Sequence, residues 1–325
     1  MNNNKSRRHQ PDARLPQDAM LPPDADILPP SDDRIFKLLL THPNAKQVLI
    51  DIVSTVIERK VVDVQIRNIE LPVMDIDEKA ERFDVNCTID NGDQVDVEMH
   101  SSAREETGVV RVNFINKYVY YLTDLHSSQK SKGIRYRDLV RTYQATFCTH
   151  TVFPHRNDFV HRFALRSQDG ELLSDQINMV IIELSKLNDA LKKPVEELTS
   201  FEKWSIFFKF APDIMHRDLI NDIIKEKEEI GMAATLLREI SKDEHERARL
   251  RSRRMYETDR ISDLLTAEEK GEIRGIAKGR EEGREEGQAE EKLQIARNAL
   301  AEGSTHEFIQ KITGLDLETI QNLND

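Results

Sequence analysis

Cysteine is nearly absent: Cys87 and Cys148 are the only two in 325 residues, and they stand far apart. Neither has a His or a second Cys at metal-ligand spacing, so neither a disulfide framework nor a zinc site is indicated and two buried thiols are expected. Long apolar runs are missing too. No stretch approaches the roughly 20 apolar residues a membrane span requires, and the opening MNNNKSRRHQ lacks the apolar core of a secretory signal. A soluble, cytoplasmic protein with no membrane contact is therefore expected. Nor is there a positive excess: the net charge is −12, which argues against a protein that coats nucleic acid by bulk electrostatics. That balance leaves open an acidic site that gathers divalent metal, whose negative charge local Lys and Arg can offset.

What is present is enough apolar residue, 38%, for a core, and enough charge, 33%, for long exposed helices. The length leaves room for a catalytic core and at least one smaller unit. Residues 1–30 repeat Pro, Asn and Asp without hydrophobic periodicity and read as a flexible arm, whose Lys5, Arg7 and Arg8 would be a solvated basic tail or touch a phosphate backbone. Order begins at Ser31, an N-cap candidate, where SDDRIFKLLLTHPNAKQVLIDIVSTVIERK predicts two helices parted around Pro43. Ile35, Leu38, Leu39, Val48, Ile52, Val53 and Val56 would face the core.

Three strands are predicted next, over 61–71, 82–90 and 94–101, each alternating apolar and polar residues. Asp90-Asn91-Gly92-Asp93 carries the Asn-Gly signal of a tight hairpin, so the last two strands should be antiparallel neighbours. Period-two geometry puts Phe83, Val85, Cys87, Val95, Val97 and Met99 on one face, and Asp84, Asn86, Thr88, Asp96, Glu98 and His100 on the other. A helix over about 109–128 follows, with Val110, Phe114, Tyr118, Tyr121 and Leu125 at helical spacing. Strands are expected over 142–153 and 177–187, separated by a charged hairpin-like stretch. The whole is a mixed α/β core.

Beyond Asn188 the chain turns helical and charged, and RARLRSRR (247–254) reads as an exposed helix face. Gly271, Gly275, Gly279, Gly283 and Gly287 then recur every four residues. Each costs a helix about 0.5–1 kcal/mol relative to alanine, so either a partner helix approaches closely or the segment is a tether. The last stretch predicts two short amphipathic helices, stopped by Gly303 and Gly314 and started near Ser304 and Asp316, in a small helix-turn-helix-like module.

Phosphodiester hydrolysis needs an activated water, an oriented phosphate and neutralisation of developing charge, all of which one or two divalent metals supply. Hard cations take oxygen ligands, and Asp84 on one strand and Glu98 on its hairpin partner meet that need, with the backbone carbonyl of Met99 as a supplement. His100 stands where it can contact the attacking water or the scissile phosphate, and Asp96 lies behind the ligands. By spacing alone, a half-buried sheet with a wet polar face fits as well.

The order helix, strand with Asp, hairpin, strand with Glu-x-His, helix resembles the PD-(D/E)XK nuclease core. The chain more particularly resembles the recombination-promoting nuclease (Rpn) family, also described as PD-(D/E)XK-type transposases. DRIFKLLL (33–40), EKAERFDVNCTIDNGDQVDVEMHS (78–101), LHSSQKSKGIRYRDL (125–139), HRNDFVHRFAL (155–165), VIIELSKL (180–187) and the C-terminal IARNALAEG and FIQKITGLDLETIQNL carry the likeness. It implies a restriction-endonuclease-like mixed sheet flanked by helices, followed by a helical C-terminal region. It also implies a DNA endonuclease of low sequence specificity, linked to recombination and dependent on Mg2+, or on Ca2+ or Mn2+. Asp84 and Glu98 would be metal ligands and His100 would occupy the lysine position of the motif. There the chain departs from pattern, since histidine differs from lysine in shape and carries a pH-dependent charge. Asp33 would extend the metal site or cap the first helix, and Lys37 and Lys117 would contact phosphate or be solvated charges.

The expected organisation is a flexible arm (1–30), a nuclease-like domain (31–187), a helical extension (188–265), a Gly-periodic helix or tether (266–292) and a C-terminal helical module (293–325). DNA is the expected partner, with homo-oligomerisation through the C-terminal helices. Two other readings stand beside the nuclease: a cleavage-impaired binding or self-assembling protein on the same fold, and a nuclease for RNA or branched DNA.

Overall fold

The computed structural model describes residues 19–67, 84–101, 109–129 and 135–323. Its first unit runs to Arg247 and is built on a six-stranded mixed sheet, its second from Ala248 onward is helical.

Two helices open the first unit, α1 (Asp33–Leu40) and α2 (Lys46–Ile57). The cap of α1 is Asp32 rather than Ser31, its carboxylate accepting from the Arg34 and Ile35 N–H groups. The strands are β1 (Val64–Ile66), β2 (Asp84–Ile89), β3 (Gln94–His100), β4 (Thr142–Cys148), β5 (Val160–Arg166) and β6 (Leu172–Glu183). Their order is β1-β2-β3-β4-β6-β5. The β2–β3 hairpin turns through Asp90–Asp93, with Gly92 at φ +89, a backbone that side-chain-bearing residues seldom adopt. Asn91 and Asp93 tie the turn through the Asn91 amide and the Asp93 carboxylate at 2.8 Å. From β3 the chain must cross over to reach β4, which runs parallel to it, and α3 (Val109–Ser127) makes that crossover.

Both faces of the sheet are covered. On one, α1 packs on β2 and β3, and Phe36 meets Phe147 at 5.9 Å and Phe208 at 5.1 Å between ring centres. Phe208 belongs to α4 (Ser200–Phe210), where it stacks on Trp204. On the other, α3 lays Phe114, Tyr118 and Leu122 against Cys148, Val152, Met179 and Ile181. The middle of the polar face is not wet: Asp96, Glu98, Gln144 and Thr146 are all buried, while Asn86, Thr88 and His100 are half-buried.

Several predicted bounds change. The described part of the 61–71 strand is only Val64–Ile66, and residues 68–71 lie outside the described residues, as do 82 and 83. β4 stops at Cys148 instead of 153, because the following backbone turns away to let the Val152 and Phe153 N–H groups reach the Glu183 carboxylate. β6 starts five residues earlier than 177, and the charged stretch before it is a strand, β5, paired antiparallel along the sheet edge. An edge strand with one exposed face tolerates charge, so its apolar signal is weak.

The flexible arm is also corrected for residues 19–30. Ala19, Leu21, Ile27 and Leu28 are buried. Asn221 of α5 (Arg217–Glu226) exchanges two hydrogen bonds with the Leu21 backbone, and Ser241 of α6 (Glu228–Lys242) accepts from the Leu28 N–H at 2.9 Å. Side chains far along the sequence satisfy this segment, so no local periodicity announces it. Lys5, Arg7 and Arg8 lie outside the described residues.

The long α7 (Glu244–Ala301) runs through all five periodic glycines. Among the described residues, no atom other than the helix's own neighbouring backbone lies within 4 Å of where a Cβ would stand on any of them. In the second unit, the end of α7 packs with α8 (His306–Thr313) and α9 (Leu317–Asn322) around Ala296, Ile309 and Ile320. Gly314 ends α8 in the left-handed region, and Thr305 and Asp316 cap the two helix starts.

Candidate active site

The antiparallel register sets Asp84 opposite Glu98 and Asn86 opposite Asp96. Opposed positions of such a pair hold their Cβ atoms about 4.5–5.5 Å apart, close enough to share one ligand. Parallel β4 extends the row by placing Gln144 beside Asp96 and Thr146 beside Glu98. A buried polar band therefore crosses three strands.

Glu98 is its best-defined member. It is 6% exposed, and its Oε1 accepts from the Tyr118 hydroxyl at 2.9 Å and from Lys117 Nζ at 3.3 Å. Both donors come from consecutive residues of α3, Tyr118 fully buried and the Lys117 side chain 38% exposed. Burial, followed by the Glu98 carboxylate beside it, pushes the Tyr118 phenol well above its usual range, so it stays protonated. Its oxygen also lies 3.2 Å from His100 Nδ1. The His100 ring is flanked edge-on by Phe114 at 4.9 Å and by His150 at 5.2 Å.

The predicted residues thus divide. Glu98, His100 and Lys117 meet around the Tyr118 hydroxyl, and Asp84 stands across the ladder from Glu98. The Met99 side chain is buried in the opposite layer, as its place between Glu98 and His100 requires. Asp33 lies in the first turn of α1, where its Oδ1 accepts from the Arg34 N–H while the capping role falls to Asp32. Lys37 is 3% exposed, so it is no solvated charge, and burial leaves it little surface for a phosphate. Tyr118, His150, Gln144 and Thr146 lie beside these residues with no motif in the sequence to mark them. The alternation Thr142, Gln144, Thr146 in TYQATFC is visible in the sequence, whereas Tyr118 reads there only as part of an apolar helix stripe.

The backbone register puts two carboxylate-bearing residue types at facing positions of the ladder, and carboxylates are the ligands that divalent cations of the magnesium or calcium type prefer. Among the described residues no group of three or more His, Cys, Asp or Glu side chains gathers as a metal site. The fit therefore rests on Glu98, on Asp84 opposite it, and on backbone or water oxygens.

A mixed sheet with a carboxylate hairpin at its centre, a parallel crossover and helices on both faces defines a PD-(D/E)XK-type nuclease fold. The chain belongs to the PD-(D/E)XK nuclease family transposases, whose family model matches residues 30–267. Residues 289–325 match the Rpn/YhgA-like nuclease family C-terminal HTH domain. Searches of curated proteins and of solved structures return no match. Among the described residues no helix is long and apolar enough to cross a membrane.

Proposed function

We propose that the chain is a divalent-metal-dependent endodeoxyribonuclease of low sequence specificity that acts in DNA recombination, with residues 31–187 as its nuclease domain. The observation that carries this reading is the pairing of Asp84 with Glu98, the latter buried and held by donors from α3. Asp84, Glu98 and the Met99 carbonyl, with Asp33 as an added donor, would hold Mg2+, Mn2+ or Ca2+. When bound, such an ion neutralises phosphate charge and activates water. Lys117, half in solvent and half on Glu98, is placed to meet an incoming phosphate. His100, tied to the same hydroxyl, orients a water or a phosphate oxygen. The C-terminal HTH unit supports DNA as the partner. The open glycine row of α7 supports self-association through the C-terminal helices.

The test is nicking of supercoiled plasmid with Mg2+, Mn2+ or Ca2+ by wild type, Asp84→Ala and Glu98→Ala. Metal-stimulated nicking that both substitutions abolish is expected. Tight DNA binding without nicking by wild type, in all three metals, would sink the proposal and favour a binding or self-assembling protein.

A further inference from the structure

Six buried polar atoms lie on the α3 side of the central strands: Asn86 Oδ1 and Thr88 Oγ1 on β2, Gln94 Oε1 on β3, and both amide atoms of Gln144 with Thr146 Oγ1 on β4. None has a hydrogen-bond partner among the described residues, although Gln144 and Thr146 are 0% exposed and Gln94 is 3% exposed. The register makes them one patch, with Thr88 opposite Gln94, Asn86 opposite Asp96, and Gln144 and Thr146 beside Asp96 and Glu98. Neighbouring strands lie about 4.7–4.9 Å apart, near enough for one small molecule to bridge their side chains. α3 and the turn after it serve the ends of the patch: His126 Nδ1 and Gln129 Nε2 each lie 2.9 Å from Thr142 Oγ1, and Lys117 and Tyr118 bond Glu98. The six atoms between are unserved, and native interiors seldom leave such groups so, because each has lost its full hydration.

The set mixes opposite needs. Three carbonyl oxygens accept, one amide nitrogen donates and two hydroxyls do either, whichever way the Gln144 amide is turned. A cation satisfies the oxygens and repels the Gln144 NH2 group, an anion does the reverse, and an apolar filling satisfies none. Water donates and accepts, and a buried water takes about two to four polar partners. We propose that the space between α3 and the β2–β4 face is an internal water site, its molecules hydrogen-bonded to Asn86, Thr88, Gln94, Gln144 and Thr146. At about three hydrogen bonds per buried water, about two molecules complete the set. Because Thr146 stands beside Glu98, one end of this water borders the carboxylate pair of the proposed cation site. That connection rests on the nuclease reading; the hydration does not.

The experiment uses the full-length, metal-free protein labelled with 15N-glutamine, in which loss of one side-chain amide pair in Gln144→Met assigns Gln144. Water-selective NOE and ROE transfer then read whether water lies against that amide, opposite signs of the two separating direct contact from proton exchange. The wild type is expected to show direct water contact, and Thr146→Val to keep it. A wild-type Gln144 amide without water contact overturns the proposal without reference to any variant. A contact that vanishes in a folded Thr146→Val protein overturns it as well, because the signal then came through the hydroxyl. Oxygen-17 relaxation dispersion, which counts long-lived internal water, should fall by about two molecules when Gln144→Met and Thr146→Val are combined. An unchanged count in the folded double variant is the third result that sinks the site. If wild type shows the water contact yet nicks no plasmid with any metal, the hydrated interior stands and the nuclease reading falls; nicking without the contact does the reverse.

Discussion

Lys117 Nζ lies 3.3 Å from Glu98 Oε1, joining the crossover helix to the central strand at the site. A lysine of α3 reaches the Glu98 carboxylate, while the strand itself carries His100 two residues after Glu98. One carboxylate thus receives a cation and a phenol from neighbouring residues of a single helix.

Lys117→Ala should therefore slow plasmid nicking by about 100-fold, the usual effect of removing one charge-stabilising donor. Lys117→Arg should retain part of the rate. The Lys117 side chain is 38% exposed, so solvent screens the pair and thermal stability should change little. An alanine variant that nicks at the wild-type rate would remove Lys117 from the site.

The loop after β4 is pinned by Glu183, whose carboxylate is fully buried and hydrogen-bonded to His161, to Lys186 and to the Val152 and Phe153 N–H groups. Burial works to raise the Glu183 pKa, but these donors, Lys186 foremost, hold it below its usual range. Burial pushes His161 below its usual range against the opposing pull of Glu183. Both shifts have the same sign for stability: the unfolded chain binds protons that the fold excludes. His161 begins to cost stability as pH falls below about 6.5, and Glu183 adds to the loss as pH falls below about 4.3 toward its folded value. Thermal melts should show Tm falling steadily toward acid. Glu183→Ala should cost roughly 3–5 kcal/mol at neutral pH, because it strands buried donors. A Tm that rises between pH 7 and pH 5 would contradict the sign.

Phe36 is fully buried between Phe147 of the sheet and Phe208 of α4. Phe36→Ala should destabilise by about 3–5 kcal/mol, the cost of a large cavity in a close-packed core. Chemical denaturation read by the single tryptophan, Trp204, stacked on Phe208, measures it. A loss under about 1 kcal/mol would mean that the three-ring contact is not formed.

Removing residues 1–30 should lower Tm, since Leu21, Ile27 and Leu28 would no longer cover α5 and α6, each such side chain contributing about 1.5–3 kcal/mol when buried. A flexible arm would leave Tm unchanged, so a melting curve of the truncated chain distinguishes the two.

The sequence by itself determined what depends on neighbours along the chain. Period-two alternation sorted Asp84, Asp96, Glu98 and His100 from Val85, Val95, Val97 and Met99. The Asn91-Gly92 turn fixed the hairpin, and with it the register that opposes Asp84 to Glu98. Helical spacing marked Phe114 and Tyr118. Tertiary structure decided what those residues meet. Whether the acidic face is wet or covered depends on where the crossover helix lands, and α3 lands on it, turning Tyr118 from a core aromatic into the hydroxyl shared by Glu98 and His100. Lys37 and Lys117 look alike as single charged residues on helices, yet one is buried and the other reaches the site, because helix orientation against the sheet is set by packing across hundreds of residues. Residues 19–30 carry no periodic signal at all; partners such as Asn221 and Ser241, about two hundred residues away, supply their order.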